Sequence, residues 1–159
     1  MNANRTAARI HELRTVLDQG IREGLGVGAS LGIDVESLEE GLAVYVLDAN
    51  PATINALFTV HGGVLATLMD TAMGSAVFTT LEDGVGYTTL ELKVNFTRAV
   101  ALGLDRVAGG FVPDPETDRL TCVARTVHVG RRTATAEARI TDPKDRLIAH
   151  GSCTCMILR

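Results

Sequence analysis

At 159 residues, with 46% apolar and 21% charged residues, the chain is long enough for a real core and far from the composition of a disordered segment. A net charge of −4, with no block of Lys or Arg, argues against a nucleic-acid or anionic-membrane surface. Three cysteines, an odd number that includes a C-x-C pair at 153 and 155, give neither a disulfide framework nor a zinc signature.

The N-terminus has no apolar stretch of signal-peptide type, so the expectation is a cytoplasmic protein. Ile10, Leu13, Val16-Leu17, Ile21 and Leu25 recur at helical spacing among charged residues. They predict an amphipathic helix, weakened by Gly20 and ended at Gly24 or Gly26. The domain reading is therefore a helix over 1–27 followed by a domain over 28–159. Two strands are expected next, at 30–36 and 41–47, separated by the turn-like SLEEG. Pro51 in DANPATIN breaks the pattern.

HGGVLATLMDTAMGSAVF, residues 61–78, is almost continuously apolar with one charge, Asp70. Its glycines and an aspartate costing ~3 kcal/mol at mid-membrane make it a buried helix and not a span. Four or five strands follow. TLELKVNF alternates Leu90, Leu92, Val94 and Phe96 against Thr89, Glu91, Lys93 and Asn95; TATAEARIT alternates Ala134, Ala136, Ala138 and Ile140 against polar partners. PDPET, GRR and DPKD supply turns. An apolar helix needs cover nearly all round, which one antiparallel sheet wrapped about it provides.

An ionised carboxylate in such a helix is costly unless something pairs with it or uses it. Asp70 is either a structural residue bonded to backbone or to Arg98, or a working group. Gly62 and Gly63 open the helix, where unpaired N–H groups and the macrodipole can hold an oxyanion, or where glycines merely permit tight packing. Eight residues separate Gly62 from Asp70, ~12 Å along a helix axis, so both can act on one carbon only if they come from different protomers. Asn55 and His61 precede the helix; each is a candidate for orienting water or substrate, or for ordinary loop chemistry. The other histidines show no metal-ligand spacing.

Asn55, the HGG at 61–63, Asp70, the strand TLELKVNFTRAV and the terminal RLIAHGSCTCMIL together resemble the hotdog-fold thioesterases. The resemblance is to the phenylacetate-pathway (PaaI-like) and 4-hydroxybenzoyl-CoA group, and it runs from about Leu42 to the C-terminus. It implies an α+β hotdog fold, a long antiparallel sheet wrapped around one central helix, with an extra N-terminal helix here. It also implies hydrolysis of acyl-CoA thioesters, with Asp70 as base or nucleophile, Gly62 N–H as oxyanion donor, and Asn55 and His61 assisting. Gly63, Thr89 (Thr88 if the alignment slips by one), Met73 and Arg98 would touch substrate, with Arg98, Arg131 or Arg132 near the CoA phosphates. Met69, Val77 and Phe78 would line the cavity with Met73. No metal or cofactor is implied beyond the CoA of the substrate, and the partner is a second copy, in a homodimer or homotetramer. A non-catalytic acyl-CoA sensor or carrier of the same fold is the alternative. A hydratase is disfavoured, since Ser75 stands where such enzymes tend to carry His.

Overall fold

The computed structural model describes residues 3–159. The chain runs α1 (Ala3–Glu23), α2 (Gly26–Leu31), β1 (Ile33–Glu39), β2 (Leu42–Asp48), α3 (Gly62–Phe78), β3 (Gly86–Phe96), α4 (Leu104–Ala108), α5 (Pro115–Asp118), β4 (Arg119–Val129), β5 (Thr133–Thr141) and β6 (Leu147–Leu158). The strands form one antiparallel sheet in the order β1-β2-β4-β5-β6-β3, and α3 packs against all six. This is the hotdog architecture expected.

Small residues on the strands let α3 come this close. Ala43, Ala124, Ala134, Ala136, Ala138 and Ala149 are all buried on the inner face, opposite Leu68, Met69, Ala72, Met73 and Ala76 of the helix. Interiors are packed to crystal-like density, so alternating small strand residues and larger helix residues fill the layer without voids. A fully buried polar contact crosses it, Tyr45 Oη to Ser75 Oγ at 2.8 Å. Burial pushes the Tyr45 phenol up to about 12, which keeps it a neutral hydroxyl.

Several boundaries differ from the sequence reading. Ser30 and Leu31 belong to α2, and β1 starts only at Ile33. SLE of SLEEG stays in β1, so the turn shrinks to Glu40-Gly41, with Gly41 at φ +70°. PDPET contains a short helix, α5, with Asp114 capping the Glu116 N–H at 3.0 Å.

The most consequential difference lies in β3. Thr89 pairs with Cys155 and Glu91 with Thr154, so Leu90 is an extra residue in a β-bulge. The alternation breaks there: Thr89 shares the inner face with Leu92 and Val94, while Leu90 is 58% exposed. Phe96 does lie on the inner side of the ladder, opposite Ala149, but at the end of an edge strand, and it remains 54% exposed.

The N-terminal helix is pinned by one buried cation. The Arg9 guanidinium lies 3.7 Å over the Phe78 ring and donates to Glu12 at 2.7 Å and to the Val85 carbonyl at 2.6 Å. Gly24, at φ +64°, ends α1 as expected, with Leu25 N–H donating back to the Gly20 carbonyl at 2.8 Å.

Candidate active site

Two clusters of polar groups flank α3, one at its N-terminus and one halfway along. The first is built by the loop after β2. Asn50 closes the turn around Pro51 by accepting from the Ala52 N–H at 2.9 Å, and the chain returns through the Ile54–Val60 bridge. Asn55 sits inside that return. Its Oδ1 accepts from Leu57 N–H at 2.9 Å and Thr59 N–H at 3.3 Å, while Nδ2 donates to Thr59 Oγ1 at 2.9 Å. Asn55 thus holds the loop that presents the helix.

His61 is the N-cap of α3. Its backbone N–H donates to the Thr53 carbonyl at 2.8 Å, and its Nδ1 accepts from the Gly63 N–H at 2.8 Å. With Nδ1 occupied as an acceptor, the neutral ring carries its proton on Nε2. Gly63 leaves room for this cap, since a Cβ there would lie 3.0 Å from Nδ1. Its own N–H is consumed, which leaves Gly62 N–H as the donor without a partner among the described residues. Gly62 faces the Phe96 ring, 3.1 Å from where a Cβ would be. Together with Thr59, Phe96, Arg98 and Ala99, it lines a shallow cleft of about 330 Å³. Arg98 therefore belongs to the Gly62 end of the helix and makes no bond to Asp70.

The second cluster centres on Asp70, half-buried and two turns further on. Thr89 Oγ1 donates to Asp70 Oδ1 at 2.9 Å, and Cys155 Sγ lies 4.0 Å behind the same hydroxyl. The bulge at Leu90 turns Thr89 inward to make this bond, whereas Thr88 faces out and is exposed. The carboxylate is not orphaned, and among the described residues no cation pairs with it. One oxygen is oriented by a hydroxyl and the group still reaches solvent, which suits a base or nucleophile.

Tyr87 borders this cluster, a neighbour that the sequence reading missed. Two residues before Thr89 on the same face of β3, it lays its hydroxyl over Gly74, the residue one turn after Asp70. Burial, then Cys155 and Asp70 nearby, push its phenol up, so it stays protonated. The signal available in sequence was its i−2 spacing from Thr89. Met73 is a correction in the other direction. It is fully buried in the core with Met69 and Val77, so none of the three lines an open cavity, and Phe78 is covered by Arg9 and packs edge-on to Tyr87 at 6.4 Å. The helical period explains this: at ~100° per residue, positions 69, 73 and 77 centre on a buried stripe about a quarter-turn round the helix from 63, 67, 70 and 74, of which Asp70 and Gly74 meet Thr89 and Tyr87 of the edge strand β3. Ser75 is occupied by Tyr45, and the only carboxylate on α3 is Asp70.

Within one chain, Gly62 and Asp70 are eight residues and ~12 Å apart along α3, as the helical rise requires. Each chain therefore carries a helix N-terminal N–H donor and a carboxylate that cannot meet on one atom.

Residues 58–112 and 113–149 match the sequence profile of the thioesterase superfamily. A 1,4-dihydroxy-2-naphthoyl-CoA hydrolase of Listeria monocytogenes is 25% identical over 133 residues, 84% of this chain and 96% of that protein. The acyl-coenzyme A thioesterase PaaI of Escherichia coli is 28% identical over 120 residues, 76% of this chain and 74% of that protein. Among solved structures, a conserved protein of Pseudomonas aeruginosa superposes with a TM-score of 0.71 at 31% identity, covering 86% of this chain and 98% of that one. Among the described residues, no helix is long and apolar enough to cross a membrane.

Proposed function

Because the chain belongs to the thioesterase superfamily, we propose that it hydrolyses acyl-CoA thioesters to a free acid and CoA, with Asp70 as the base and the Gly62 N–H as the oxyanion donor. The observation that carries this reading is the half-open Asp70 carboxylate, oriented by Thr89 on an otherwise apolar helix. In the reaction, Asp70 takes a proton from water and the hydroxide adds to the thioester carbonyl carbon. Negative charge moves onto the carbonyl oxygen, where the Gly62 N–H and the positive end of the α3 dipole receive it. The tetrahedral intermediate then collapses, the C–S bond breaks, and the departing thiolate takes the proton back from Asp70. A direct attack by the carboxylate, giving an anhydride that water then opens, uses the same groups.

Such a site needs two copies of the chain, with Gly62 of one protomer facing Asp70 of its partner. Support comes from the ~12 Å separation and from β3, an eleven-residue strand on the sheet edge with Leu90 and Phe96 exposed. A long unpaired edge of this kind is a template for another strand. Dimers of this kind would pair into a tetramer, as the resemblance implies. Arg98, which lines the Gly62 cleft, would meet the CoA phosphates.

The test is release of free thiol from phenylacetyl-, hydroxybenzoyl-, hexanoyl- and palmitoyl-CoA by the wild type and by Asp70→Asn. Turnover that drops by at least ~10²-fold in the folded Asn variant supports the assignment. Turnover that survives makes Asp70 structural, and tight binding without any turnover favours the carrier reading.

A further inference from the structure

One cavity is lined by none of the candidate catalytic side chains and touches α3 only at Thr71, the residue after Asp70. It measures about 320 Å³ and opens between the N-terminal helices and the sheet, with Leu17 and Ile21 of α1, Ile33 and Val35 of β1, Tyr45 of β2 and Thr71 of α3 in its walls. The volume is at the lower end of small-ligand sites. Four small residues, Gly20, Gly26, Gly28 and Ala29, interrupt the larger aliphatic side chains of the N-terminal wall and leave space there.

We infer that this cavity seats the acyl part of the substrate, and that its chemistry selects an unsubstituted alkyl chain of medium length. The inference rests on the thioesterase reading above. The walls are aliphatic apart from Tyr45 and Thr71, and the Tyr45 hydroxyl is already spent on Ser75. A hydroxyaryl group would bring a hydroxyl into a space where Thr71 is the only side-chain group free to meet it, and an unmet polar group is costly to bury. An alkyl chain asks for nothing but burial. The mouth is also lipophilic, for Val16, Leu25 and Val27 at its rim are 63%, 60% and 55% exposed. The Arg9 clamp on Phe78 holds α1 down and keeps the wall in place. The N-terminal helices thereby become part of the substrate site and not a mere appendage.

The test is calorimetric titration of the full-length protein with S-octyl-CoA and S-methyl-CoA, thioethers that cannot be hydrolysed. At roughly fourfold per methylene removed from water, seating half of the octyl chain makes it bind about 100-fold tighter than methyl. Gly20→Leu fills the cavity from a helical position where a Cβ meets only an ordinary contact, 3.5 Å from the Leu25 carbonyl. It should cut that ratio to below about 10, and Ala29→Leu, from α2, should do the same. Equal binding of the two thioethers by the wild type, or a ratio that both filled variants preserve, overturns the inference. A change of oligomeric state in the filled variants with the ratio intact also overturns it, and assigns the cavity to a subunit contact. The two proposals fail separately. Variant-sensitive octyl binding without thiol release from octanoyl-CoA keeps the pocket and removes the hydrolase. Thiol release with a flat ratio keeps the hydrolase and removes the pocket.

Discussion

Replacing Thr89 by Val keeps the side-chain shape and deletes one O–H, the one that donates to Asp70 Oδ1 at 2.9 Å. A hydrogen bond to a charged group is worth ~1.5–3 kcal/mol net, and the half-open setting of Asp70 puts this one near the lower figure. At ~1.4 kcal/mol per decade of rate, losing it should lower kcat about tenfold, with a smaller change in KM, because the hydroxyl orients the base and does not grip the substrate. Steady-state thiol release resolves this easily, and Thr89→Ser should restore most of the rate. The sharper readout is the double variant. If Thr89 acts only through the carboxylate, adding Thr89→Val to Asp70→Asn costs nothing further. A Thr89→Val enzyme with wild-type kcat would refute the argument, and so would a loss that adds fully to that of Asp70→Asn.

Site sharing has its own signature. Gly62→Pro removes the N–H at a helix position that tolerates proline, so it and Asp70→Asn should each be inactive, yet equal mixing after subunit exchange should recover about a quarter of the wild-type rate; no recovery would mean that the two groups do not serve one site. Gly74→Ala would put a Cβ 2.8 Å from two carbons of the Tyr87 ring, so a loss of ~1–3 kcal/mol in denaturant unfolding is expected, partly regained when Tyr87→Ala is added. Acid stability should report on Asp118, which takes both nitrogens of the Arg106 fork at 2.8 Å and the Asp114 N–H at 2.8 Å. The Arg106 hydrogen bonds hold its carboxyl below the usual carboxylate range. A group depressed in the folded state stabilises above the unfolded value, about pH 4, and loses that contribution as pH falls through the folded one. Melting temperature should therefore decline on the acid side, and Asp118→Asn should lower it near neutrality while making that decline shallower.

The overall fold was legible because its signals are local. Residues 133–140 alternate small apolar and polar side chains without interruption, and a half-buried strand is the structure that satisfies a period of two. The apolar run from Gly62 to Phe78 has too many glycines and one carboxylate too many for a membrane, so a helix wrapped by a sheet was the remaining solution. The order Asn55, His61, Gly62, Gly63 and Asp70 could be read straight from the chain, and helix geometry alone separated Gly62 from Asp70.

What the sequence left undecided depends on partners distant along the chain. The bulge at Leu90 arises where β3 meets β6, more than sixty residues later, and it alone turns Thr89 toward Asp70 and Leu90 away. Strict alternation put Thr89 on the outer face with Glu91. Met73 reads as well for a cavity as for a core, and only the position of the sheet beneath α3 buries it. The space next to Thr71 is likewise made by small residues on two N-terminal helices whose packing no local pattern records. Periodicity determines which residues share a face of one element. Which face meets which neighbour, and where a gap remains between them, is fixed only when the elements pack.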